Sequence, residues 1–176
     1  DHVGWKGNPN VTFERPKHKG LMWRRAWVDA VDQLLGWSEM CRRVPTEGLG
    51  MISQGAREWT DYTVSADVTP HLVSRAGVAA RVQGLTRFYA LVVTREQKVQ
   101  ILKSVHEESV IAEADFKWSF GDTLEMTLSV VEDQLVGQIN GKTIVTARDS
   151  ALDAGAAGLI VVDGRSATPV SYTHLR

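Results

Sequence analysis

One short stretch, ARVQGLTRFYA, carries the side chains best suited to recognising a small polar ligand: Arg81, Gln83, Arg87 and Tyr89. A guanidinium presents a rigid planar fork of donors, an amide both donates and accepts, and a phenol does both through one oxygen. Such a set suits sugar hydroxyls or phosphate oxygens. Trp118, in FKWSFGD, adds an aromatic face on which the C–H side of a sugar ring can stack. The competing reading is architectural: Arg81 hydrogen-bonded to neighbouring carbonyls and stacked on Tyr89.

Other chemistries find less support. His2, His18, His71, His106 and His174 are scattered, with no metal-ligand spacing to a second His or to Cys41. No metal or cofactor is expected, apart from a structural calcium at loop carboxylates such as Asp149, Asp153 or Asp163. There is no G-x-S-x-G elbow, and GLGMISQG lacks the Lys-Ser/Thr of a phosphate loop. A glycosidase needs two carboxylates across a cleft. The strand acids Asp61, Asp67, Glu113 and Glu125 form no E-x-D-x-E cluster, and Glu125 among Thr123, Thr127 and Ser129 reads as a solvated face. Lys6, Arg15, Lys17, Lys19, Arg24 and Arg25 cluster near the start, where a solvated linker is expected rather than a nucleic-acid surface.

The elements that must position these residues are strands. DYTVSADV alternates, with Tyr62, Val64, Ala66 and Val68 on the buried side, and Pro70 is expected to stop the ladder. In the central stretch, a three-residue loop at Gly84, Leu85 and Thr86 would pair Gln83 with Arg87, Val82 with Phe88 and Arg81 with Tyr89. That register puts Val78, Ala80, Val82, Phe88, Ala90 and Val92 on a core face. Arg81, Gln83, Arg87 and Tyr89 then share the other, running into Leu91 and Val93. KVQILKSV and SVIAEA continue the pattern, and DTLEMTLSVV turns Leu124, Met126, Leu128 and Val130 inward. Asn140-Gly141 marks a tight hairpin, and GAAGLIVVDGR and PVSYTHLR read as closing strands. Strands at short spacing with no helices between them exclude a parallel βαβ architecture. The expected fold is all-β: a two-sheet antiparallel sandwich of jelly-roll type.

The chain has 176 residues, a formal net charge of −1 and one cysteine. It can bury a core without disulfides, and neither nucleic acid nor a membrane surface is indicated as a partner. A cytoplasmic location is the default expectation. The opening at Asp1, without methionine, suggests a segment of a longer polypeptide. Residues 1–22 read as an extension or linker and 23–176 as the sandwich domain. The letters of MWRRAWVDAVDQLL fit a helix, with Trp23, Trp27, Ala30, Val31 and Leu34 on one side, or a strand.

From about residue 48 onward, REWTDYTVSADVTP, AGVAARVQGLTRFYAL, W-x-x-GD-x-LEMTLSV and GLIVVDGR together resemble the concanavalin A-like lectin/glucanase superfamily, in the style of laminin-G-like modules. More narrowly, RRAWVDAVDQ with EGLGMISQGAREWTDYTVSADVTP resembles the C-terminal module of some bacterial ADP-ribosylglycohydrolases related to crystallin J1. That resemblance implies that residues 23 to 35 belong to the sandwich. It also implies an upstream catalytic domain, and a lectin-like accessory role here. The concave face around Arg81, Gln83, Arg87, Tyr89 and Trp118 would bind a carbohydrate or an ADP-ribose-type ligand. The alternatives are a glycoside hydrolase in its own right and a purely structural or interaction domain.

Overall fold

A computed structural model describes residues 27–29, 40–43 and 48–169, with side chains for 48–164. The described elements are all strands: β1 (Trp27–Asp29), β2 (Met40–Arg43), β3 (Leu49–Gln54), β4 (Tyr62–His71), β5 (Arg75–Gly84), β6 (Arg87–Thr94), β7 (Lys98–Val105), β8 (Glu107–Asp115), β9 (Leu124–Val131), β10 (Gln134–Ile139), β11 (Lys142–Arg148), β12 (Ala156–Val162) and β13 (Arg165–Pro169). They form a seven-stranded sheet, β1-β3-β12-β5-β6-β7-β8, and a six-stranded sheet, β11-β10-β9-β4-β13-β2. Every described pairing is antiparallel. Of the stretch that fits either a helix or a strand, the described residues Trp27–Asp29 form a strand at the edge of the larger sheet, beside β3. Residues 1–26 and 30–39 lie outside the described set, as do the early basic cluster and most of PVSYTHLR.

Period-2 sequence becomes a half-buried strand because successive side chains leave opposite faces of the pleat. In β4, Tyr62, Val64, Ala66 and Val68 are buried and alternate with half-buried Thr63, Ser65, Asp67 and Thr69. Their partners on β9 are Leu124, Met126, Leu128 and Val130, all buried. Opposite them, Val78, Leu91, Val93, Val99, Ile101 and Val161 of the larger sheet complete the inter-sheet core. Asn140 and Gly141 carry the β10–β11 turn with φ of 50° and 73°, the left-handed geometry that tight hairpins demand.

Two local expectations are corrected. Pro70 does not end β4, which runs to His71. The ladder with β9 stops at Val68, and pairing passes to β13 at Thr69, Pro70 and His71. Proline falls where one neighbour hands over to the other, so its missing N–H is tolerated.

The hairpin register is also different. Ala80 pairs with Tyr89, and Gly84 with Arg87, around a two-residue loop at Leu85 and Thr86, with Arg81, Val82 and Gln83 in an irregularity of β5. One residue of slip exchanges the faces of a strand. Tyr89, Leu91 and Val93 therefore join Ala76, Val78 and Ala80 in the inter-sheet core. Val82, Phe88, Ala90 and Val92 lie on the reverse face with Met51, Ala79, Leu102, Ala156 and Ile160, in a second buried apolar cluster. The larger sheet is apolar on both sides in its centre, so residue type could not tell the two faces apart.

Candidate functional site

The expected site residues do not share one face. Arg81 has φ of 49° in the β5 irregularity and is 2% exposed. Its Nε donates to the Thr60 carbonyl at 3.1 Å and its Nη1 to the Leu152 carbonyl at 2.8 Å. Nη2 reaches Asp61 Oδ1 at 3.5 Å, and the Arg81 backbone N–H donates to the Tyr62 hydroxyl at 2.6 Å. That hydroxyl in turn donates towards the carbonyls of Gly155 and Ala156, at 2.8 and 3.0 Å. Gly155 (φ 149°) sits so close that a Cβ there would stand 2.3 Å from the Arg81 carbonyl carbon.

Tyr89 is fully buried. Its hydroxyl donates to Asp149 Oδ1 at 2.5 Å and accepts the Leu152 N–H at 3.1 Å. Asp149 also accepts Lys103 Nζ at 2.6 Å and the Ala151 N–H at 2.9 Å. Burial pushes the Asp149 carboxyl upward, but the bonds from Lys103, Tyr89 and Ala151 outweigh it and hold the group below the usual range. Burial pushes the Tyr89 phenol up to about 12, reinforced by the Asp149 carboxylate beside it, and burial raises Tyr62 to about 12 as well. Residues 149–155 are thus fastened from beneath by Arg81, Tyr62, Tyr89 and Lys103.

Gln83 and Arg87 do come together. Arg87 Nε donates to Gln83 Oε1 at 3.0 Å, and Gln83 Nε2 donates to the Ala154 carbonyl at 2.9 Å. Both residues are half-buried. The two terminal guanidinium nitrogens of Arg87 have no partner among the described residues. Tyr89 pairs with Lys103, and Arg87 with Val105, so Arg87 and Lys103 are diagonal neighbours on the same face of the sheet. One end of the sandwich therefore gathers Gln83, Arg87, Lys103 and loop 149–155, with Asp153 exposed on that loop. The arrangement offers a clamped planar fork and an ammonium group, and it can hold acceptor oxygens.

Trp118 lies apart. It is 6% exposed, its Nε1 donates to the Thr94 carbonyl at 3.0 Å, and its backbone N–H donates to Gln97 Oε1 at 2.8 Å. Those partners are at the far end of β6 from Arg87. Its ring meets Phe120 edge-on at 5.2 Å, and Phe120, 47% exposed, is the aromatic turned outward there.

Lys103 and Asp149 join the site only through the fold. The signal for Lys103 was present: it continues the inward row Val99, Ile101 of β7, where an apolar residue is expected. Asp149, a candidate calcium ligand by sequence, has its carboxylate engaged by protein donors. Among the described residues no group of three or more His, Cys, Asp and Glu could hold a metal ion. Of the strand acids, Asp61 accepts the Glu132 N–H at 2.7 Å, and Glu113 is bonded to Lys98 and Gln100. Asp67 and Glu125 are direct cross-strand partners, a pairing that no pattern within a single strand reveals. They stand in a row of hydroxyl pairs, Thr63–Ser129, Ser65–Thr127 and Thr69–Thr123, along the outer face of the smaller sheet.

No protein-family model and no curated protein matches this sequence. Solved structures do match in fold. The carbohydrate-binding module CBM66 from Bacillus subtilis superposes with a TM-score of 0.76 at 18% identity, over 86% of this chain and 95% of that one. The galectin LEC-6 of Caenorhabditis elegans gives 0.53 at 11%, over 81% and 99%. A GH43 protein from Bacillus licheniformis gives 0.59 at 10%, covering 92% of this chain and 39% of that one. The architecture is a two-sheet antiparallel jelly-roll sandwich, similar in fold to that carbohydrate-binding module and that galectin.

Proposed function

We propose that this chain is a non-catalytic, lectin-like carbohydrate-binding module whose ligand sits at the end of the sandwich, on Gln83, Arg87 and Lys103. The observation that carries this reading is the Arg87 fork, oriented by Gln83 yet with its terminal nitrogens unpartnered among the described residues. Binding sites of this kind combine a rigid scaffold with a few fixed polar groups. Arg81 and Tyr89 act beneath the ligand, holding loop 149–155, and Trp118 packs the opposite end. The jelly-roll fold supports the reading by analogy alone, since one fold serves many functions. The module's role is to hold substrate near a catalytic domain of the same polypeptide, an ADP-ribosylglycohydrolase on the sequence resemblance, which makes ADP-ribose a second ligand to test.

A glycoside hydrolase reading draws support from the cross-strand pair Asp67 and Glu125. Directly opposed residues have Cβ atoms about 5 Å apart, compatible with the carboxylate spacing of a retaining mechanism. Glu125 is exposed, however, and the described hydroxyl pairs Ser65–Thr127 and Thr69–Thr123 stand on either side of the pair.

Calorimetric titration of the chain with a panel of oligosaccharides and ADP-ribose tests the proposal. Saturable binding that Arg87→Ala weakens at least tenfold supports it, and binding unaffected by that change moves the site elsewhere. Turnover of a chromogenic glycoside, lost in Glu125→Gln, would establish the hydrolase reading instead.

A further inference from the structure

The balance of donors and acceptors at the Gln83–Arg87 end says more about the ligand, granted the site proposed above. Arg87 has no carboxylate partner among the described residues, while the other buried or half-buried cations around it are engaged. Arg81 is bonded to Asp61 and two carbonyls, and Lys103 is paired with Asp149. Asp149 already receives Tyr89, Lys103 and Ala151, so it has little capacity left for a ligand hydroxyl. Asp153 stands exposed on the loop, and Glu107 opens β8. Glu107 shares a face with Arg87 but lies two strands away across Val105, roughly 10 Å at ordinary strand spacing. Among the described side chains at this end, Arg87 therefore keeps one complete guanidinium edge free, while the nearby carboxylate of Asp149 is already occupied. That edge matches two oxygens of one acidic group bidentately, whereas neutral sugar hydroxyls match a mixed donor–acceptor surface better.

We infer that this site selects saccharides carrying an acidic group (a carboxylate, sulfate or phosphate) over their neutral counterparts, with Arg87 as the specificity-determining residue.

The test is calorimetry of the 176-residue chain with a neutral oligogalactoside, the corresponding oligogalacturonate, ADP-ribose and inorganic phosphate. The galacturonate or ADP-ribose should bind about tenfold or more tightly than the neutral sugar, the difference between charged and neutral hydrogen bonding. That preference should shrink as sodium chloride rises. It should vanish in Arg87→Gln, survive in part in Arg87→Lys, and remain intact in Arg95→Gln, which removes the same charge from the far end of β6. Which acidic ligand wins separates a uronate from a phosphate source. Equal binding of neutral and acidic sugars, with Arg87→Gln neutral in effect, overturns the charge selection while leaving carbohydrate binding in place. Inorganic phosphate binding as tightly as any saccharide would also overturn it. Absence of binding to all four ligands overturns both the inference and the function on which it rests.

Discussion

Replacing Tyr89 with phenylalanine removes one oxygen and leaves the ring in the inter-sheet core. The lost hydroxyl links β6 to loop 149–155: it donates to Asp149 Oδ1 at 2.5 Å, with the Asp149 carbonyl at 3.3 Å as a weaker second acceptor, and accepts the Leu152 N–H at 3.1 Å. A bond to a charged acceptor contributes about 1.5–3 kcal/mol, and a buried N–H left without an acceptor costs about 1–3 kcal/mol. Leu152 is 1% exposed, so water cannot readily replace the phenol at its amide. Asp149 keeps Lys103 and Ala151, which limits the damage on that side. Since such terms share a partner and do not add fully, the expected cost is about 3 kcal/mol. For a chain of this length that lowers Tm by roughly 6–12 °C. Urea unfolding followed by tryptophan fluorescence should show the midpoint shifted with the slope unchanged. Hydrogen exchange at the Leu152 amide should accelerate as well. A change below about 0.5 kcal/mol, with that amide still protected, would refute the idea that Tyr89 fastens the loop.

The remaining predictions concern the same end of the molecule. Asp149 has a depressed carboxyl pKa in the folded chain, so its contribution is present above the unfolded value near 3.9 and is lost as pH falls through the folded one. Acid unfolding should therefore steepen below about pH 4, and Asp149→Asn should flatten that limb. Tyr62 and Tyr89, both raised to about 12, favour the neutral phenol in the folded state. Their contribution is complete below about pH 10 and lost as pH rises towards 12, so ultraviolet titration should show two phenols ionising late or only on unfolding. Gly155→Ala would place a Cβ 2.3 Å from the backbone of Arg81 at a φ of 149°. We expect a loss of at least about 3 kcal/mol in chemical denaturation, and a cost near 1 kcal/mol would show that the loop can move away.

Much of the fold was legible because period-2 burial is a local property. The inward rows of β4 and β9 follow from residue type alone, and the Asn140–Gly141 turn follows from the φ > 0 that it requires. Strand acids could be enumerated, but the meeting of Asp67 with Glu125 depends on a pairing between segments far apart in sequence. That Arg81 bonds to carbonyls was an open reading of the sequence and is what the structure shows, but which carbonyls was not legible, since Thr60 and Leu152 are brought to it on separate loops.

By itself, then, the sequence determined the class of the fold: alternating strands without crossover helices can close only as antiparallel sheets packed face to face. It also named the polar side chains of the central hairpin. Only the tertiary structure decided what they do, because an irregularity of a few residues in β5 set the register and register sets the face. Tyr89 went to the core and Arg81 to a lattice of carbonyls. Gln83 and Arg87 remained at the rim, joined by a lysine and an aspartate that no local pattern had grouped with them.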